Sequence, residues 1–191
     1  LGGCTYVLNK TSGQIYEQMS QMAQLYAQEL DNRFLRISRN LFSTIMDTNE
    51  TNSTFWGNVN LMKNGDYSEY AIGKLREEYF SSAWEYGTEY RIFLYTHDTD
   101  KLYQLSLSSD GNYTMSSDIA ASIREQIDKL DEKTYAVKRK WDVLECDNEV
   151  YICKIAQKNG IALGCIVNVK SILEPFSKLS LGKHGYVSLV D

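Results

Sequence analysis

Arg139, Trp141 and Lys154 are the side chains of this sequence whose types and expected placement point to ligand chemistry. An arginine fork and a lysine ammonium hold a carboxylate or another anion, and an indole beside them adds an apolar wall. The placement comes from three apolar runs, Ala136 to Cys146, Glu149 to Gln157 and Ile161 to Val169, taken as consecutive antiparallel strands. With Asp147-Asn148 as a two-residue turn, Trp141 falls opposite Lys154; with Lys158-Asn159-Gly160 as a three-residue turn, Cys153 falls opposite Cys165. Alternation then puts Arg139, Trp141, Val143, Ile152, Lys154, Ile166 and Asn168 on one face. Asp142, Leu144, Tyr151, Cys153, Leu163, Cys165 and Val167 fall on the other. The first face is expected to bind a small polar or anionic ligand under the 109–135 segment, with Tyr103 and Tyr113 as the nearest further hydroxyl donors. The second is expected to pack as core against a long helix. An edge strand with snorkelling cations beside a packed Trp would use the same residues, and that alternative stays open.

Other reactive groups form no recognisable machinery. The sequence has no G-x-S-x-G, no H-E-x-x-H and no phosphate-binding glycine loop, so no catalytic residues are assigned and no enzyme activity or cofactor is expected. Cysteines stand at 4, 146, 153 and 165 and the histidines are His97 and His184; zinc-ligand spacing is absent and no metal site is expected. Asp98 and Asp100 read as solvated turn carboxylates rather than calcium ligands. Cys153 and Cys165, side by side in the expected register, fit either a disulfide or buried free thiols, with free thiols favoured.

The elements that must position these groups follow from periodicity. From Thr11 to about Met46, Ile15, Met19, Met22, Tyr26, Leu30, Phe34, Ile37, Leu41 and Ile45 recur at helical spacing. A helix of about 34 residues runs about 50 Å, longer than one small core needs, so part of it is expected to project. Residues 47–69 have the Asn, Thr, Ser and Asp content of a loop. A helix from about Ser68 to Tyr86 precedes a hairpin of Tyr90–Tyr95 and Lys101–Leu107 around His97-Asp98-Thr99-Asp100. A further helix, about Ser116 to Glu132, buries Ile119, Ile123, Ile127 and Leu130, with Ser116 or Ser117 as N-cap. The run Ile161 to Val167 is apolar on both faces, which places it centrally in the sheet. Ser171-Ile172-Leu173-Glu174 has capping-box form and opens a short helix. The resulting class is α+β: a long N-terminal helix packed on a five-stranded antiparallel sheet.

Composition sets the partners. At 191 residues the chain suits one well-cored domain plus an extension, and its 43% hydrophobic and 24% charged content is that of a globular protein. A net charge of -5, with no basic run longer than Lys138-Arg139-Lys140, argues against nucleic acid as a partner. Fourteen tyrosines suit half-buried sheets and polar pockets alike. Leu1-Gly2-Gly3-Cys4 reads either as a lipoprotein cleavage box or as the outer end of a membrane helix.

The order long helix, two strands, helix, three antiparallel strands resembles a PAS-like Cache sensor domain. So do Asn168-Val169-Lys170-Ser171-Ile172-Leu173 after the central strand and the stretch Gly182-x-x-Gly185-Tyr186-Val187-x-Leu189-Val190-Asp191. The resemblance implies three parts: residues 1–10 as a membrane-proximal stub or lipobox, 11–170 as the distal sensor module, and 171–191 as a linker helix opening a truncated second module. It implies small-ligand sensing and signal input on the extracytoplasmic side of the cell membrane, for a bacterial receptor such as a two-component sensor histidine kinase, a chemoreceptor or a diguanylate cyclase receptor. Membrane tethering would lie in missing flanks, and a homodimer would form through the N-terminal helix. The alternative is a surface solute-binding lipoprotein anchored at Cys4. Amino-acid-binding Cache domains carry Arg-x-Trp-Tyr; Arg139-Lys140-Trp141-Asp142 matches the Arg and Trp only, so the ligand class stays at amino acid or organic acid.

Overall fold

The computed structural model describes residues 2–47, 53–63, 65–107, 111–130 and 140–177, with side chains described outside 2–13, 66 and 80–85. The elements are α1 (Gly2–Ile45), α2 (Thr54–Lys63), a 3₁₀ turn (Gly65–Tyr67), α3 (Ser68–Tyr86), β1 (Tyr90–Thr96), a 3₁₀ turn (His97–Thr99) and β2 (Lys101–Gln104). They continue with α4 (Ser117–Asp128), β3 (Asp142–Cys146), β4 (Glu149–Lys158), β5 (Ile161–Asn168) and α5 (Val169–Ser177). The chain divides into two compact units, Arg36–Ser171 and the residues up to Leu35 with those from Ile172 onward. In the smaller unit the Tyr26 hydroxyl donates to the Ile172 carbonyl at 3.2 Å and the Tyr26 ring meets Phe176 edge-on at 4.8 Å.

The larger unit holds one five-stranded antiparallel sheet in the order β2-β1-β5-β4-β3. β5 is central as its two-sided apolar sequence requires, and Ile161 to Val167 are buried throughout. Against one face lies α4, whose Ile119, Ile123 and Ile127 cluster with Phe93, Tyr95, Leu144, Cys153, Ile155 and Ile166. Ser116 is its N-cap, the hydroxyl accepting from the Ile119 amide at 3.3 Å. Ile92, Leu94, Leu163, Cys165 and Val167 are buried on the opposite face. That face meets the helices before the sheet: the Trp141 indole donates to Ser38 of α1 at 3.2 Å, and the Lys158 ammonium sits over the Trp56 ring of α2.

Several expectations change. Residues 54–63 are helical because Phe55, Trp56, Val59 and Met62, all buried, recur at helical spacing beneath the Asn- and Thr-rich composition. α1 begins before Thr11, and of its expected apolar positions Leu30, Ile37, Leu41 and Ile45 are buried while Ile15 and Met22 are exposed. β2 stops at Gln104, since the Leu105 and Ser106 amides both reach the Ile92 carbonyl and the Ser106 hydroxyl bonds Ile92 N at 2.7 Å in place of a backbone partner. α5 starts at Val169, not at Ser171, because the Asn168 side chain caps it by accepting from the Lys170 amide at 2.8 Å. The β3 residues expected before 140 and the segment beyond 177 lie outside the described residues.

The two C-terminal hairpins decide the faces. Asp147 and Asn148 both have positive φ and form the expected two-residue turn, with Cys146 paired to Glu149. Asn159 and Gly160 also form a two-residue turn, pairing Lys158 with Ile161, where three residues were expected. That one-residue difference sets Cys153 opposite Ile166 and Lys154 opposite Cys165. Cys153 and Cys165 therefore point to opposite faces, and Cys146, Cys153 and Cys165 are buried and form no disulfide among the described residues.

Candidate functional site

The corrected register reassigns the expected ligand face. Lys154 shares its face with Cys165, Ile152 and Val167, whereas Ile166 and Asn168 lie with Cys153 and Tyr151 on the other. α4 crosses the Cys153 face, so the helix of the 109–135 segment lies on the face away from Lys154; residues 109, 110 and 131–135 lie outside the described residues. Lys154 is 3% exposed and its ammonium donates to the Lys140 carbonyl at 3.2 Å. Burial pulls the ammonium below the ordinary lysine value, and the nearby Asp142 charge works against that shift. Trp141 is committed to Ser38. Tyr103 lies towards α2, lining a cleft with Met62 and Lys63, while the Tyr113 ring carries the Arg76 guanidinium at 4.4 Å. Lys154 and Trp141 are thus neighbours, Tyr103 and Tyr113 belong to other parts of the molecule, and Arg139 lies outside the described residues.

A different set converges at one end of the α4 face. β1 starts, β5 ends and β4 starts at the same edge of the sheet, which brings together Arg91, Ile166, Asn168 and Tyr151 through the pairs Arg91–Ile166 and Tyr151–Asn168. With Ile119 from the first turn of α4, and Glu89 and Ser171 at the rim, they enclose a cleft of about 100 Å³. Its floor is apolar and buried, from Ile119 and Ile166.

A hydrogen-bonded frame sets its polar wall. Glu149 accepts from the Tyr151 hydroxyl at 2.9 Å and from the Asn168 amide at 2.6 Å. Asn168 thereby joins β4, β5 and the start of α5 in one arrangement, because its other atom caps that helix. Burial and then the Glu149 hydrogen bond push the Tyr151 phenol above its ordinary value, opposed by the Asn168 hydrogen bond and by the Arg91 charge. Arg91 itself, half-buried, donates no hydrogen bond and forms no ion pair among the described residues, so its planar fork faces the cleft uncommitted.

This wall offers a guanidinium for a carboxylate or other anion, with the Ser171 hydroxyl and the Glu89 carboxylate at the rim for complementary polar groups. No His or Cys lines it, and no cluster of three or more metal-ligating side chains occurs among the described residues. Arg91 had one sequence signal, as the charge inside the apolar run Tyr90–Thr96; its convergence with Tyr151 and Glu149 depends on strand order and register.

Compared with family models, curated proteins and solved structures, the chain matches none. No helix among the described residues is long and apolar enough to cross a membrane.

Proposed function

We propose that this chain is the small-ligand sensing and signal-input module of a bacterial transmembrane receptor, of PAS-like Cache type, placed outside the cytoplasm and feeding a sensor histidine kinase. It binds a small anionic or zwitterionic molecule, an amino acid or organic acid, in the Arg91 cleft and performs no catalysis of its own. The observation that carries this reading is the uncommitted Arg91 fork over an apolar floor, beside the braced phenol of Tyr151. An arginine that meets no acidic partner among the described residues, at the rim of a cavity, is suited to be the recognition element of an anion site. The α+β order, with a long helix ahead of an antiparallel sheet, supports the sensor-module reading.

The test is thermal unfolding and calorimetry against a panel of amino acids and short organic acids. One class should bind saturably and raise the melting temperature. Arg91→Ala should abolish that response while moving the melting temperature of the free protein by no more than a few degrees, because a cleft cation contributes little to folding. Undiminished binding in a folded Arg91→Ala variant would remove the site from this cleft.

A further inference from the structure

A second cleft, of about 120 Å³, opens on the sheet face away from α4, between the end of α2, the start of α3 and the β1–β2 hairpin. Its size exceeds what one water needs. Among the described residues Met62 and the Tyr103 ring supply apolar wall, and the ammonium groups of Lys63 and Lys101 face the carboxylate of Asp98. Lys63 and Asp98 are paired at 3.1 Å. The Thr96 and Thr99 hydroxyls are bound to each other at 2.6 Å. Ser68, Lys101 and Tyr103 also line the cleft, and their side chains make no hydrogen bond or ion pair among the described residues.

We propose that this cleft is a second ligand site, distinct from the Arg91 cleft, for a compact oxyanion such as inorganic phosphate or sulfate. The ammonium of Lys101 and the hydroxyls of Ser68 and Tyr103 come from two different elements and supply donors with no acceptor among the described residues. An oxyanion presents several acceptors in a small volume and satisfies such a set at once. Among the described lining residues two ammonium groups face one carboxylate, which disfavours a cation, and the apolar surface from Met62 and the Tyr103 ring walls a volume suited to a compact ligand. Asp98 is the internal competitor: its carboxylate pairs with Lys63 and repels an anion that enters. Its removal therefore strengthens anion binding, the opposite of what removal of a supporting residue would do.

The measurement is a ¹H–¹⁵N NMR titration of the chain with sodium phosphate and with sodium sulfate at constant ionic strength, sodium chloride serving as the screening control. Saturable shifts are expected for the amides of Gly65, Thr99 and Lys101. The double variant Lys63→Glu, Lys101→Glu, both at exposed positions and checked for an unchanged amide spectrum outside the cleft, should lose at least about tenfold in affinity. Tyr103→Phe should weaken binding a few-fold, and Asp98→Asn should tighten it. Arg91→Ala should leave the phosphate response unchanged, which keeps this site separable from the first. Non-saturating shifts, equal shifts in the charge-reversed variant, or loss of the response in Arg91→Ala would each overturn the proposal.

Discussion

Arg91 and Lys154 are cations on neighbouring parts of one sheet, yet the two faces treat them differently. Lys154 sits mid-strand in β4 opposite Cys165, 3% exposed, with its ammonium on the Lys140 carbonyl and Trp141 held nearby by Ser38. Arg91 is the second residue of β1, at the sheet's end, where its guanidinium meets a cleft and no described partner. Burying a charge is costly unless hydrogen bonds replace its water, and the Lys154 site supplies such a bond from the chain itself. Arg91 keeps solvent access and a fork suited to an external acceptor. A cation's type and its neighbours in sequence therefore say less about ligand binding than whether the fold has already given it an acceptor.

The comparison requires the α4 face to be solid everywhere except at the Arg91 end, and Gly164 tests that most severely. A Cβ built there would approach the Phe93 ring to within van der Waals overlap and lie 2.8 Å from the Lys154 carbonyl. Gly164→Ala should cost about 3 kcal/mol in chemical denaturation, the upper end for overpacking, because one of the two obstacles is backbone. A near-neutral result would mean that the middle of this face is loose and that the Arg91 cleft is not a special opening.

Next in size is the contrast between truncations. Lys154→Ala removes a buried four-carbon stem and should cost about 2 kcal/mol, most of it recovered in Lys154→Met, which keeps the apolar volume without the charge. Arg91→Ala should cost less than about 0.5 kcal/mol. Equal losses at both positions in denaturant titrations would erase the distinction between a structural and an available cation.

A pH series sharpens the same point. The folded-state value of Lys154 is lowered from 10.5, so between the two values the unfolded chain binds the proton and the folded chain does not. Stability contributed by this group therefore rises as pH climbs through that window. The phenols of Tyr79, Tyr95 and Tyr151, all raised, act in the opposite direction at high pH, so the quantity to follow is the difference between wild type and Lys154→Met. That difference should grow in favour of wild type as pH rises; a flat difference would mean that Lys154 is solvated in the folded state.

Much of the fold was legible because it rests on local signals. Ser116 and the four-residue repeat of isoleucines predict α4, and Asp147-Asn148 predicts its turn and the β3–β4 register. β5 failed for a physical reason: a strand apolar on both faces has no alternation to fix its register, so Lys158-Asn159-Gly160 could be read one residue too long. That single slip carried Ile166 and Asn168 onto the Lys154 face, while the placing of Trp141 beside Lys154 came from the β3–β4 turn and stands. α2 was hidden by polar residues on its outer side. Arg91 was visible as an odd charge in an apolar strand, but its meeting with Tyr151 and Asn168 requires β1 to pair with β5, a contact that local sequence does not encode.

The smallest expected effect lies at the β3–β4 turn, beside the start of α4. Asp147 has its carboxyl pushed above the ordinary carboxylate range, first by a hydrogen bond shared with Asp118, then by that residue's charge. Asp118 is in the first turn of α4, where a carboxylate is favourable, so Asp147 is the member of the pair that can be given up. Asn tolerates the positive φ of 53 at this position as well as Asp does. The two acidic side chains crowd each other at the turn, so Asp147→Asn should raise the melting temperature at neutral pH, by no more than about 2 °C for a solvent-exposed site. The folded protein takes up its proton at higher pH than the unfolded chain, which means that wild type gains stability as pH falls through the raised value. The advantage of the variant should therefore shrink on acidification. If it instead persists unchanged below the carboxylate range, the gain comes from the turn conformation and not from the Asp118–Asp147 charge pair.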